Sequence, residues 1–271
     1  MEKLHSSLAD LRVLVRGAGE QASGIAHRLA RSHFRVAMTE IAHPMAVRRF
    51  VSFCEAVWEG SWTVEGVKAV RVEGPKEFDR TLDSGALPVA VDPALNSLKA
   101  WKPHVLIDAT IAKKNLGTTR DMAELVIGFG PGFTAGEDVD VVVESNRGHD
   151  LGRLIFEGSA EPNTGVPGDT AGYSIERVLR APMDGRIEVL LDIGSRVEKG
   201  TPVLRVGNET VEAAIPGIIR GMLRNGMPVT RGMKAGDVDP RTDRDRCSTI
   251  SEKARALGGS ALEAILMRYN S

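Results

Sequence analysis

Gly17-Ala18-Gly19-Glu20-Gln21-Ala22-Ser23-Gly24 stands between an apolar run at residues 12–15 and an amphipathic stretch at residues 23–32. A strand, a glycine turn and a helix in that order read as the first unit of a parallel sheet. Glycines at such a turn let a phosphate approach the helix N-terminus, where unpaired N–H groups and the helix dipole favour an anion. The spacing is G-x-G-x-x-x-x-G, so the dinucleotide fingerprint G-x-G-x-x-G is met only in part. Glu40 lies 21 residues past Gly19, at the end of the second apolar run. An acidic residue there typically bonds ribose hydroxyls and repels a 2′-phosphate. Gly17, Gly19, Gln21, Ala22, Ser23, Gly24 and Glu40 are therefore candidate nucleotide-binding residues. The alternative is a glycine-rich turn that holds no ligand.

Outward from this turn, strands are expected at residues 12–15, 35–39, 67–72, 88–91, 104–108, 125–129 and 139–144, most of them rich in Val, Leu or Ile. Helices are expected at 23–32, 45–57, 76–83 and 94–101, with Pro44 suited to the start of the second. The alternation predicts an α/β domain over residues 1–157 with a mostly parallel sheet covered on both faces. Residues 158–178 are rich in Gly and Pro and read as a linker or a functional loop.

Next comes an internal repeat. A shift of 32 carries Gly185, Gly194, Val197 and Gly200 onto Gly217, Gly226, Val229 and Gly232, and Ile187, Leu191 and Val206 onto Ile219, Leu223 and Val238. Each copy reads as short strands with glycine turns, too small to bury a core alone, so two copies would interlock over residues 179–241. In residues 242–271, Thr249-Ile250-Ser251-Glu252 reads as a capping box opening a final helix, which Gly258-Gly259 should kink. Its apolar stripe must pack on the first domain or on another subunit, so a homo-oligomer is compatible with it.

Composition narrows the function classes. The 271 residues are 42% hydrophobic and 26% charged, as in ordinary globular proteins, and glycine is in excess with 29 residues. Thirty-five basic against 36 acidic residues give no whole-molecule pull toward nucleic acid or anionic lipid. With 4% aromatic residues, a base-stacking platform is not expected either. No apolar run reaches the length of a membrane span. Residues 1–5 show no leader pattern, and Cys54 and Cys247 show no metal-ligand spacing, so a reduced cytoplasmic setting is expected.

Three further places can carry chemistry. Gly128, Gly130 and Gly132 follow a strand and could expose backbone N–H groups to an anion. Asp108 and Lys113, at the end of another strand, would face the same edge. His149 is the best acid–base candidate, though a surface histidine fits as well. Arg244 and Arg246 flank Cys247 and could activate it, but an inert thiol is the expectation for it and for Cys54. No metal site is expected.

Met38-Thr39-Glu40, Val51-Ser52-Phe53, Ala112-Lys113-Lys114-Asn115, Gly130-Pro131-Gly132-Phe133 and Pro162-Asn163-Thr164-Gly165 follow the glycine turn in an order that resembles the YqeB family. The resemblance extends to Ile250-Ser251-Glu252-Lys253-Ala254-Arg255. Its members are accessory proteins associated with maturation of selenium-dependent molybdenum hydroxylases. The resemblance implies a Rossmann-like, doubly wound N-terminal part similar to XdhC-type proteins. It also implies a nucleotide or dinucleotide ligand (NAD or molybdopterin dinucleotide) and a molybdenum hydroxylase client as partner. It marks Gly17, Gly19, Gly24, Glu40, Lys113 and the 128–132 loop as site residues.

The repeat looks like a barrel-sandwich hybrid of the biotinyl or lipoyl type. The hairpin at Gly207-Asn208-Glu209-Thr210-Val211 lacks the carrier lysine, and Met233-Lys234 comes too late in the second copy, so carrier function is not expected. The expected whole is an α/β fold: a Rossmann-like sheet, a small all-β barrel-sandwich hybrid domain and a C-terminal helix. The expected function is cofactor-linked maturation of the client. The alternatives are an NAD-dependent oxidoreductase with Lys113 or His149 as proton donor, and a nucleotide-binding regulatory module without catalysis.

Overall fold

Val13, Leu14 and Val15 have no exposed surface, as a strand covered on both faces requires. They lie in β1 (Arg12–Arg16), the middle strand of a nine-stranded sheet. The structure, a computed structural model, describes residues 7–165 and 168–270. Residues 1–5, read above for a leader, and Val166-Pro167 of the Gly/Pro-rich segment lie outside the described residues.

The chain divides into two units. The first holds the residues up to Pro44, then Ser52–Asn163, then those from Ile250 onward; the second holds Met45–Val51 and Thr164–Thr249.

In the first unit β1 is followed by α1 (Glu20–Arg31), β2 (Arg35–Glu40), α2 (Glu55–Glu59), β3 (Ser61–Val64) and β4 (Val67–Val72). Then come α3 (Phe78–Asp83), β5 (Leu87–Val91), α4 (Ser97–Trp101), β6 (Val105–Asp108) and β7 (Leu125–Phe129). The series ends with β8 (Thr134–Ala135), β9 (Val141–Val143), β10 (Leu154–Ile155) and β11 (Gly158–Ser159). The sheet order is β10-β9-β7-β6-β1-β2-β5-β4-β3, and β8 pairs with β11 apart from it.

The second unit holds β12 (Val178–Arg180), β13 (Gly185–Val189), β14 (Arg196–Val197), β15 (Pro202–Val206), β16 (Glu209–Glu212), β17 (Gly217–Met222), β18 (Pro228–Val229), β19 (Lys234–Asp239) and α5 (Asp245–Ser248). Finally α6 (Glu252–Tyr269) belongs to the first unit.

The expected fold class needs correction. The large sheet is mixed: β3 and β10 run antiparallel at its two edges. Nor is it wound by crossover helices throughout, since they are missing on the β6–β9 half. A loop with one short 3-10 turn (Arg120–Met122) joins β6 to β7, and the small strand β8 stands between β7 and β9. The cover on that half of one face comes from the far end of the chain, where α6 contacts β7 and β9. The second unit is two four-stranded antiparallel sheets, β12-β19-β17-β14 and β16-β15-β13-β18. The Rossmann and barrel-sandwich assignments therefore give way to a mixed sheet plus two small antiparallel sheets.

Within the second unit, β13, β14 and β15 each recur 32 residues on as β17, β18 and β19. The paired glycines carry matching φ: 158° and 157° at Gly185 and Gly217, 93° and 79° at Gly194 and Gly226, 87° and 80° at Gly200 and Gly232. The copies exchange strands, β14 pairing with β17 and β18 with β13.

Two local expectations also change. Residues 45–57 do not form one helix. The Val47 carbonyl accepts the Met222 N–H at 2.8 Å, which holds residues 45–51 in the second unit, and only Glu55–Glu59 is α-helical. Tertiary pairing overrides local propensity there. Second, α6 is continuous through Gly258-Gly259. A Cβ on Gly258 would lie 2.9 Å from the Arg28 Cβ and from the Gly24 carbonyl, so that glycine serves close approach to α1. Gly24 meets Ala254 in the same way. Residues 24 and 28 thus face 254 and 258, so α1 and α6 run parallel and start at the same edge of the sheet.

Candidate functional site

The carboxyl ends of β1, β6, β7 and β9 share one edge of the large sheet. The glycine turn lies there. Gly17 has φ of +96°, and a Cβ on it would meet the Ala109 carbonyl and Thr110 at 3.3 Å. Its N–H donates to the Thr39 carbonyl at 2.8 Å. Gly19 is the N-cap of α1 and supplies no side-chain cap. A Cβ added to Gly19 meets nothing within 4 Å, so the space before the helix is open.

Other candidates on this turn serve the fold. The Ser23 hydroxyl donates to the Ala18 carbonyl at 2.9 Å and accepts the Phe53 N–H at 2.7 Å, fully buried. Ala22 is core, and Gly24 admits Ala254. Gln21 differs, because its Oε1 is buried without a hydrogen-bond partner. Glu40 does reach the turn, but its carboxylate accepts the Ala18 N–H at 2.8 Å and the Ile41 N–H at 2.7 Å. Burial pushes its carboxyl above the ordinary value, and the Ile41 and Ala18 N–H groups offset part of that rise.

At β6, Asp108 is fully buried and both oxygens are occupied. Oδ2 accepts from Arg16 at 3.2 Å and from the Thr118 hydroxyl at 2.7 Å; Oδ1 accepts the Thr110 N–H and hydroxyl at 3.2 and 2.7 Å. This ties the 109–118 loop to β1, a structural role. In that loop Ile111 and Lys113 hold φ of +53° and +64°, and the Lys113 side chain is exposed. A β-branched residue in the left-handed region stores strain.

The 128–132 loop is likewise packed. A Cβ on Gly128 would meet the Phe133 ring at 2.6 Å, one on Gly130 the Ser145 hydroxyl at 2.5 Å, and one on Gly132 the Lys114 backbone at 2.5 Å. These glycines fit loops together rather than frame an anion nest. His149 is exposed, and both cysteines are buried; burial raises the Cys247 thiol despite Arg48 and Arg220. Among the described residues no group of three or more His, Cys, Asp or Glu could hold a metal ion.

The sequence reading missed the contribution of β9 and α6. The buried Glu144 accepts the Asn146 and Glu161 N–H groups at 2.6 and 2.7 Å. Beyond it Arg147 pairs with Glu252 at 2.8 Å, while the Arg147 Nε is buried with no hydrogen-bond partner. Lys253, in the first turn of α6, has its pKa lowered by burial and by Arg147, although Glu20 and Glu144 work the other way. The helix is capped at Ser251, whose hydroxyl accepts the Ala254 N–H at 3.4 Å, two residues later than the expected Thr249. The signal was present in Ile250-Ser251-Glu252-Lys253, but nothing local shows that this turn returns to the glycine loop.

No protein-family model matches the chain. It is 44% identical over 255 residues to "Uncharacterized protein YqeB" of Escherichia coli strain K12, an alignment covering 94% of this chain and 47% of that protein. The chain thus spans about half the length of this relative, whose name states no activity. Among solved structures it is similar to the ectoine utilization protein EutE (DoeB) of Ruegeria pomeroyi, with 11% identity, 84% and 85% of the two chains covered and a TM-score of 0.25. An aspartoacylase family protein of Mesorhizobium loti gives 10%, 84% of each chain and 0.27. A succinylglutamate desuccinylase/aspartoacylase of Rhodobacter sphaeroides gives 13%, 84% of each and 0.29.

At such scores none of these activities carries to this chain. The expected role in maturing selenium-dependent molybdenum hydroxylases is corrected by the site itself. It rested on resemblance, and Gly24, Asp108 and Gly132, meant to serve its cofactor, are occupied by internal contacts.

Proposed function

We propose that the first unit binds a phosphate-bearing small molecule of nucleotide type, mononucleotide or dinucleotide such as NAD, at the carboxyl edge of its large sheet. The observation that carries this reading is Gly19: an α1 start with no side-chain cap and open space where a Cβ would stand. Ligands of open sheets with parallel strands bind outside the carboxyl ends where the connections diverge. Here β1 leads to β2 on one side while β6 lies on its other side. Gln21 Oε1 adds a buried acceptor without a partner in the first turn of α1, suited to a ligand hydroxyl.

Glu40 shapes the turn in this reading instead of contacting the ligand. The 44% identity to YqeB supports kinship with that family without adding an activity. Among the described residues no helix is long and apolar enough to cross a membrane. The test is a thermal-shift panel of NAD, NADP, FAD, ATP, CTP and a molybdopterin dinucleotide on the native chain and on Gly19→Val. A stabilisation present in the first and absent in the second is expected; no stabilisation by any member rejects the reading.

A further inference from the structure

We propose that Thr110 makes the site selective for a hydroxyl beside the ligand phosphate, so that it takes ribose-bearing nucleotides in preference to their dideoxy analogues. This rests on the nucleotide-type reading and deepens it.

Thr110 stands next to the glycine turn. Asp108 ends β6, which pairs with β1 so that Arg16 lies opposite Asp108. Two residues on, the Thr110 backbone is 3.3 Å from the place where a Cβ on Gly17 would stand. Glycine at that position lets the 109–118 loop close against the turn. Thr110 itself is only partly buried, whereas Asp108 behind it is fully buried.

A threonine hydroxyl has one proton to donate and two lone pairs that accept. Here the proton is committed to Asp108 Oδ1 at 2.7 Å, the short distance of a hydrogen bond to a charged acceptor. The carboxylate is held in place, because Arg16 and the Thr118 hydroxyl donate to its other oxygen at 3.2 and 2.7 Å. No donor among the described residues reaches the Thr110 oxygen. It is left as a fixed acceptor at the edge of the turn, with the Asp108 charge behind it. Such an acceptor disfavours phosphate oxygens and takes a hydrogen bond from a ligand hydroxyl.

The two sides of the turn then ask for different groups. The start of α1, which has no side-chain cap, favours the phosphate. Thr110, one strand over, favours a donor, and neighbouring strands lie about 4.8 Å apart, a span that a sugar bridges. Glu40, the residue expected to bond ribose, spends both oxygens on the Ala18 and Ile41 N–H groups at 2.8 and 2.7 Å. Thr110 takes over that task from the opposite side of β1.

The experiment is calorimetric titration of the full chain with ADP, 2′,3′-dideoxy-ADP and inorganic pyrophosphate, repeated on Thr110→Val and Thr110→Ser. The native chain should bind ADP about three- to tenfold more tightly than dideoxy-ADP, the scale of one hydrogen bond net of water. Thr110→Val should bind the two alike, and Thr110→Ser should keep the preference. Pyrophosphate, which carries no sugar, should bind the native chain and Thr110→Val equally. A purely structural role for Thr110 would weaken all three ligands together and leave the preference in place. If ADP binds the native chain and is lost in Gly19→Val, yet dideoxy-ADP binds as tightly or the preference survives Thr110→Val, this inference fails and the nucleotide reading stands. If none of the three binds the native chain, both fail. Should Thr110→Val not fold, Thr110→Ala, which admits water to Asp108, takes its place, and a native chain without preference overturns the inference by itself.

Discussion

The Glu40 carboxylate accepts the Ala18 N–H at 2.8 Å. That bond places an acid from the end of β2 inside the turn between β1 and α1, where it serves the protein's own backbone. Glu40→Ala would leave the Ala18 N–H without its acceptor, at a cost of about 1–3 kcal/mol. Urea unfolding would measure it.

The same group predicts a pH signature. Burial raises the folded carboxyl above its unfolded value of about 4.3. The folded state therefore holds the proton longer, and the contribution of Glu40 to stability declines as pH rises through the folded value. Across that window Glu40→Gln should show a flatter dependence of stability on pH than the native chain. Parallel curves would contradict the assignment.

Glu65 predicts the opposite sign. Burial alone would raise it, but the Ile250 N–H at 2.8 Å and Arg255 at 2.6 Å outweigh burial and hold the carboxyl below its ordinary value. Its stabilisation is present above about pH 4.3 and is lost as pH falls through the lower folded value. Glu65→Gln should lower the melting temperature at pH 7 and converge with the native chain in acid.

Gly24→Ala tests the seam of the parallel helices. The new Cβ would sit 2.6 Å from the Ala254 Cβ and 2.9 Å from the Ala254 carbonyl. Overpacking of this kind costs about 1–3 kcal/mol. Ala254→Gly should recover part of the loss in a double-mutant cycle, because it removes the nearer atom. A neutral Gly24→Ala would show the seam to be looser than described.

Asp108→Ala should be the most damaging of these changes. It removes the acceptor of Arg16 and of the Thr118 hydroxyl, and breaking a buried pair from one side costs about 3–5 kcal/mol. Thermal unfolding checks the size. A small loss would mean that water replaces the carboxylate.

What was legible in the sequence was what depends on near neighbours. Apolar runs such as Val13-Leu14-Val15 and Val141-Val142-Val143 announce strands because a doubly covered strand has no polar face. The 32-residue repeat was legible because each turn needs its glycine at a fixed place. The glycines around the site were misread for the opposite reason. Gly24, Gly128 and Gly132 are small because of Ala254, Phe133 and the Lys114 backbone, and for Gly24 that neighbour lies 230 residues away. That the first turn of α6 packs on α1 was invisible on the same ground. Residues 45–51 were read as helix because nothing nearby shows that Val47 pairs with Met222.

The central claim is that the open start of α1 receives a ligand phosphate. It is met most directly by titrating NAD and ADP into the native chain and Gly19→Val while following thermal unfolding. Open space around Gly19 means that the valine should fold with little change in stability while blocking the approach of a phosphate. At a hundredfold excess over its dissociation constant, a bound nucleotide should stabilise the native chain by about 2.7 kcal/mol and leave Gly19→Val unmoved. An equal shift in both proteins, or none in either, would contradict the account.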